Sequence, residues 1–220
     1  MENYLKRTGR LLLGLFLYSL GLTLSIQANV GLAPWDAFNM GVTNITGISY
    51  GNISILVGIV ILVIVAGFLK EKIGMGTILN TILIGLFVDI MQSIHLIPLM
   101  TNFFLGILML LLSQVIVSVA SYFYIGAGMG CGPRDTLMVA MGKLFPKIPI
   151  GAIRGTIEGT VLFIGFLLGA KVGIGTVIAV FGISFILQYT FKLLKFDIKA
   201  VVHENIFETL LNLKAVLVKS

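Results

Sequence analysis

Residues 102–125 read NFFLGILMLLLSQVIVSVASYFYI, a run without a single charge. At about 1.5 Å per residue a helix of that length covers roughly 36 Å, and a bilayer's hydrocarbon core is about 30 Å thick. A membrane β-strand needs only about ten residues and alternates apolar with polar. This run does neither, so the chain is an α-helical membrane protein. Working outward, six stretches qualify as spans: 9–28, 50–69, 74–94, 102–124, 149–170 and 174–192.

Composition points the same way. Hydrophobic residues make up 58% of the 220, charged ones 11%, and the mean hydropathy is +1.08. Soluble domains carry roughly 45–50% apolar and about 25% charged residues. Fifteen basic and nine acidic side chains are too few to clothe such a chain in water. The single cysteine, Cys131, rules out an intrachain disulfide scaffold. The twenty-six glycines suit helices packed closely in lipid, where small residues let backbones approach. A cleaved signal peptide fails at the N-terminal run, because Ile26 occupies a place that needs a small residue.

Basic residues set the orientation. With the N terminus inside, they fall on inner loops and ends from Lys6, Arg7 and Arg10 to Lys214 and Lys219, leaving Lys171 outside and Arg154 within the fifth span. Six spans with both termini in the cytoplasm fit that bias. The net charge of +6 has the same origin and forms no extended patch for nucleic acid. Residues 196–220 interleave charges with Ile198, Val201, Val202, Ile206 and Leu210. That pattern predicts an amphipathic cytoplasmic tail helix on the inner surface, with His203 and Glu204 as an exposed pair.

The chain also repeats itself. Gly31-Leu32-Ala33-Pro34-Trp35-Asp36 returns 99 residues later as Gly130-Cys131-Gly132-Pro133-Arg134-Asp135, and Gly74-Met75-Gly76-Thr77 returns as Gly173-Ile174-Gly175-Thr176. Gly51 and Ile53 match Gly151 and Ile153. The expected organisation is a first repeat over 1–98, a second over 99–195 and the tail over 196–220. Each repeat holds three spans, an odd number, so the second enters the membrane from the opposite side. The halves are then related by an axis in the membrane plane, as in many transporters, with the Pro34 loop outside and the Pro133 loop inside.

Each repeated loop opens on glycine (Gly31, Gly132), passes through Pro34 or Pro133, and starts a short helix carrying Trp35 and Asp36 or Arg134 and Asp135. Proline suits the first helical position because its missing N–H would be unpaired there. An aspartate in the first turn meets the positive end of the helix dipole. Two readings follow: interfacial helices whose aspartates stabilise their own starts, or broken, re-entrant helices facing a central cavity. Interrupted segments at matching places in two halves point to a transporter site, and irregular backbone is tolerated at membrane depth only inside protein or beside water. Exposed N–H groups favour anions, whereas the aspartates favour cations or protons, so the sign of the solute stays open.

Arg154 and Glu158, four residues apart, share one face of the fifth span. Glu158 lies roughly 13 Å along the helix from Pro149, near the midplane. Charges at that depth are costly and mark function by default; the rival is a self-neutralising structural pair. Asp89, near the outer end of span three, is expected to be structural. Candidate binding residues are therefore Asp36, Arg134, Asp135, Arg154 and Glu158.

Enzyme chemistry has little support. His95 and His203 fall on opposite faces, no Cys/His cluster makes a metal site, and no Gly-Lys-Ser/Thr follows the glycines as a phosphate loop would require. No cofactor and no metal are expected.

The motifs around Pro34, around Pro133 and at Gly173-Ile174-Gly175-Thr176 resemble those of the YczE/YyaS/YitT group of bacterial membrane proteins over nearly all of residues 9–195. The short tail is closer to the YczE branch, since many YitT-type members add a soluble C-terminal domain. The resemblance implies a bacterial plasma-membrane protein and supplies no substrate. The expected function is a small permease moving a polar or charged solute by alternating access. The alternative is a membrane scaffold or regulatory subunit that binds a partner protein. A chain this small is compatible with a homodimer, for which the sequence offers no interface.

Overall fold

The computed structural model describes residues 2–197 and 201–209. Eight α-helices follow one another: α1 (Glu2–Gln27), α2 (Pro34–Thr46), α3 (Tyr50–Val63), α4 (Met75–Ser93), α5 (Phe103–Gly126), α6 (Pro133–Leu144), α7 (Ile150–Leu167) and α8 (Ile174–Leu193). A π-helical turn, Ile64–Phe68, prolongs α3. Six of these helices are long and apolar enough to cross a membrane, with limits within a few residues of the expected spans. The largest difference is at α1, whose helix reaches back to Glu2.

α1 and α5 form the centre of the bundle. Glycine makes their contact close: a Cβ on Gly14 would lie 2.6 Å from the Tyr124 nitrogen, and one on Gly21 2.6 Å from Val117 Cγ2. Lipid gives helices no hydrophobic drive to associate, so such close approach supplies the dispersion contacts instead. Leu11, Leu15, Val88 and Tyr124 build the main apolar cluster around this seam. α4 packs on α1, α8 on α5, α3 on α4, and α2 on α7. Hydroxyls inside the bundle bond to their own helix: Ser19 Oγ donates to the Leu15 carbonyl (2.8 Å) and Thr23 Oγ1 to the Ser19 carbonyl (2.9 Å).

Asp89 is structural. Its carboxylate accepts from Ser49 Oγ and, at 2.7 Å, from the Gly51 N–H, so α4 caps the start of α3.

The repeated glycine motifs make one contact twice. The Gly76 N–H at the start of α4 donates to the Met129 carbonyl (2.7 Å), and the Gly175 N–H at the start of α8 donates to the Val30 carbonyl (2.9 Å). Gly31 and Gly130 sit at φ +126° and +121°, conformations that favour glycine. A Cβ on Gly31 would come within 2.8 Å of the Gly173 nitrogen, and one on Gly130 within 2.5 Å of Thr77 Oγ1. The loop of each half is thus pinned to the last helix of the other.

Among the described tail residues, 196, 197 and 201–205 are not helical and helix is present at 206–209, unlike the continuous tail helix expected from 196 onward. Residues 198–200 and 210–220 of that expectation lie outside the described residues. The expected exposed pair is also corrected. Glu204 is partly buried against α1, accepting from Tyr4 Oη (2.7 Å) and forming an ion pair with Arg7 Nη1 (2.6 Å). Arg7 further donates to the Ala127 and Gly128 carbonyls, and the Glu204 N–H donates to Gly128. A backbone carbonyl left over after α5, with Arg7 and Tyr4, thus holds the chain at Glu204.

Candidate functional site

α2 and α6 start in the same way. Proline occupies the first helical position, the preceding residue (Ala33 or Gly132) is extended, and no side chain caps the end. Their first N–H groups are left to whatever lies before them. Each helix runs from a buried start to an exposed finish: Asp36 is 3% exposed while Ile45 protrudes, and Pro133 is buried while Leu144 is exposed. The two starts meet. Arg134 Nη1 lies 3.5 Å from Asp36 Oδ1, and its guanidinium sits over the Trp35 ring at 5.3 Å. Tyr50 Oη donates to the same Asp36 oxygen at 2.8 Å.

A cavity of about 210 Å³ lies at this junction. All five sequence-predicted binding residues line it: Asp36, Arg134, Asp135, Arg154 and Glu158. So do Pro34, Trp35, Gly132 and Pro133; Gly31 does not, because it packs on α8. Arg154 Nε and Glu158 Oε1 are 2.7 Å apart across one turn of α7, with Arg154 51% exposed. Asp135 receives a long hydrogen bond from Tyr124 Oη (3.3 Å), and among the described residues it has no ion-pair partner.

Sequence reasoning missed the uncharged lining. Tyr18 and Tyr124 line the cavity and Tyr50 bonds Asp36 from outside its lining, and their aromatic character alone reads as core. Asn80 and Gln114 face the cavity from α4 and α5. Gln114 is 4% exposed; its Nε2 donates to the Ile178 carbonyl (3.3 Å) while its Oε1 has no partner. The signal was available, since Gln114 is the one amide in the run 103–125 and has no apolar reason to be there. Among the described residues no group of His, Cys, Asp and Glu has the arrangement of a metal site.

Six apolar spans around a polar, charge-lined cavity define a multi-pass α-helical membrane protein. The chain belongs to the family of unknown function DUF6198, which matches residues 5–192. It is 29% identical over 178 residues to the uncharacterized membrane protein YczE of Bacillus subtilis, covering 80% of this chain and 81% of the relative. An uncharacterized protein of Haemophilus influenzae is 31% identical over 179 residues (81% and 80%), and YyaS of Bacillus subtilis 22% over 169 residues (76% and 84%). The resemblance to the YczE branch drawn from the loop motifs is thus borne out. No solved structure matches the chain.

Proposed function

We propose that this protein is a small permease of the bacterial plasma membrane, with both termini in the cytoplasm, that moves a small polar or charged solute by alternating access between two inverted halves. The observation that carries the reading is the meeting of two uncapped helix starts, one from each half, at a cavity holding five charged side chains. Interrupted helices facing each other around a polar site are the transporter arrangement. In this reading Asp36 and Asp135 stand at the re-entrant starts, Arg134 contacts the solute or Asp36, and Arg154 with Glu158 forms the central ion or proton site.

Two further features support it. The loop-to-helix bond of Gly76 recurs at Gly175 with its acceptor in the opposite half, as a two-fold relation requires. The halves also differ in one respect. On α3, a Cβ at Gly58 would strike Thr81 and one at Gly51 would strike Asp89, whereas on α7 a Cβ at Gly151, Gly155 or Gly159 meets nothing within 4 Å. One helix pair is closed and its counterpart parted, which is how one end state of an alternating cycle would look.

The test is cysteine accessibility. Trp35→Cys and Thr136→Cys, each in a Cys131→Ser background, are exposed to a membrane-impermeant maleimide from either face of sealed, oriented vesicles. A solute path predicts labelling of both positions from both faces. Labelling of each position from its own face alone favours the scaffold reading, with the loops lying flat, and overturns this one.

A further inference from the structure

The charges around the cavity restrict what it accommodates. Arg134 and Arg154 face Asp36, Asp135 and Glu158, one acid more than bases. Two of the acids are taken: Asp36 by Arg134 and Tyr50, Glu158 by Arg154. Asp135 is left with a single long bond from the Tyr124 hydroxyl. Against this stand the starts of α2 and α6, uncapped by side chains and each worth roughly half a positive charge. The two dipoles together offset the surplus acid, so the empty cavity is close to electrically balanced. A solute with net charge of either sign would upset that balance in a low-dielectric setting, where imbalance is costly.

The balance is not uniform, because its positive and negative parts sit on different groups. Free N–H groups and the Arg134 fork suit a carboxylate or similar oxyanion. The carboxylate of Asp135, held by a single long bond from Tyr124 Oη, suits a cation. Trp35 and Tyr18 line the same space, the Trp35 ring already carrying the Arg134 guanidinium. A volume of about 210 Å³ admits a molecule of about seven heavy atoms, taking roughly 30 Å³ for each water displaced.

We infer that the cavity's ligand is a small zwitterion of amino-acid size, its oxyanion at the paired starts of α2 and α6 and its ammonium at Asp135. This rests on reading the cavity as a solute site, and the experiment separates the two.

Purified protein in nanodiscs is titrated with glycine, β-alanine, γ-aminobutyrate and a set of larger α-amino acids. Each is compared with the acid lacking its amine and the amine lacking its acid, with binding read by thermal shift and calorimetry. At least one zwitterion should bind tenfold or more tightly than both its analogues. Asp135→Asn should erase the advantage over the acid, the zwitterion binding more weakly and the acid no more weakly than to the parent, and Asp135→Glu should restore part of it. An acid or amine that binds as well as its zwitterion overturns the inference, as does a panel in which no zwitterion binds. Binding of a zwitterion without flux in proteoliposomes would sink the permease reading and leave this one standing; flux of a simple anion would do the reverse.

Discussion

Replacing glycine by alanine should have opposite effects at two sets of positions, with magnitudes that follow from the geometry. At Gly31 and Gly130 the backbone lies at φ +126° and +121°. Holding a non-glycine residue in such a conformation costs about 1–3 kcal/mol. The added Cβ would also sit 2.8 Å from the Gly173 nitrogen or 2.5 Å from Thr77 Oγ1. Overpacking of that kind costs roughly another 1–3 kcal/mol, so each substitution should destabilise by about 2–6 kcal/mol. At about 1.4 kcal/mol per factor of ten, even the lower figure moves the folded-to-unfolded ratio more than tenfold. Gly155 and Gly159, inside α7, have nothing within 4 Å of a Cβ. There alanine should be neutral or stabilise by up to about 1 kcal/mol through helix propensity. Equilibrium unfolding in mixed micelles, followed by circular dichroism and by the fluorescence of the single tryptophan, Trp35, measures all four variants. The reasoning fails if Gly31→Ala or Gly130→Ala stays within about 0.5 kcal/mol of the parent, the ordinary scatter for an unremarkable site. It fails equally if Gly155→Ala costs as much as Gly31→Ala.

Tyr50 is 2% exposed and donates to Asp36 at 2.8 Å. Tyr50→Phe should therefore cost about 1.5–3 kcal/mol, the range for a hydrogen bond to a charged group; an unfolding midpoint equal to that of the parent would show that Arg134 alone satisfies Asp36. At Glu204, burial pushes the carboxyl up, but hydrogen bonds from Arg7 and Tyr4 outweigh it and hold the group below its usual range. A depressed carboxyl contributes stability in full above its unfolded value of about 4.3, and that contribution is lost as pH falls through the lower folded value. Exchange protection of the Glu204 amide, corrected for intrinsic rate, should thus be flat from neutral pH to about pH 5 and fall only in the acid range below the usual carboxylate value. A Glu204→Gln variant should lack that acid step, and loss of protection between neutral pH and about pH 5 in the parent would refute the assignment.

Spans and loop starts were legible because each depends on local chemistry. An apolar run needs lipid wherever it sits, and proline after glycine begins a helix whatever lies opposite. The repeat located Pro34 and Pro133, yet it gave no indication that Asp36 and Arg134 would lie 3.5 Å apart. That contact joins two halves nearly a hundred residues apart, and it depends on how α2 and α6 are tipped inward by packing. The tail shows the same limit. Its apolar spacing suits a surface helix, but at 201–205 the Gly128 carbonyl and the Arg7 side chain take the Glu204 backbone and carboxylate instead. Arg7 read simply as a basic anchor, because counting charges by face does not reveal which of them finds a carboxylate.

Gln114 shows why the chemistry of the site was harder to read than its location. Within 103–125 it is the one amide in a largely apolar run, and a span tolerates one. Only when Ile178 takes its N–H and nothing takes its oxygen does it become a group with unused capacity. Asp135 follows the same logic. Listed beside Asp36 as its repeat, it looks equivalent, but Asp36 has an arginine and a tyrosine while Asp135 has a distant hydroxyl. Two residues that are equal in the repeat thus become unequal in the fold. It is this inequality, rather than the number of charges, that sets Asp135 apart from Asp36 at the two helix starts.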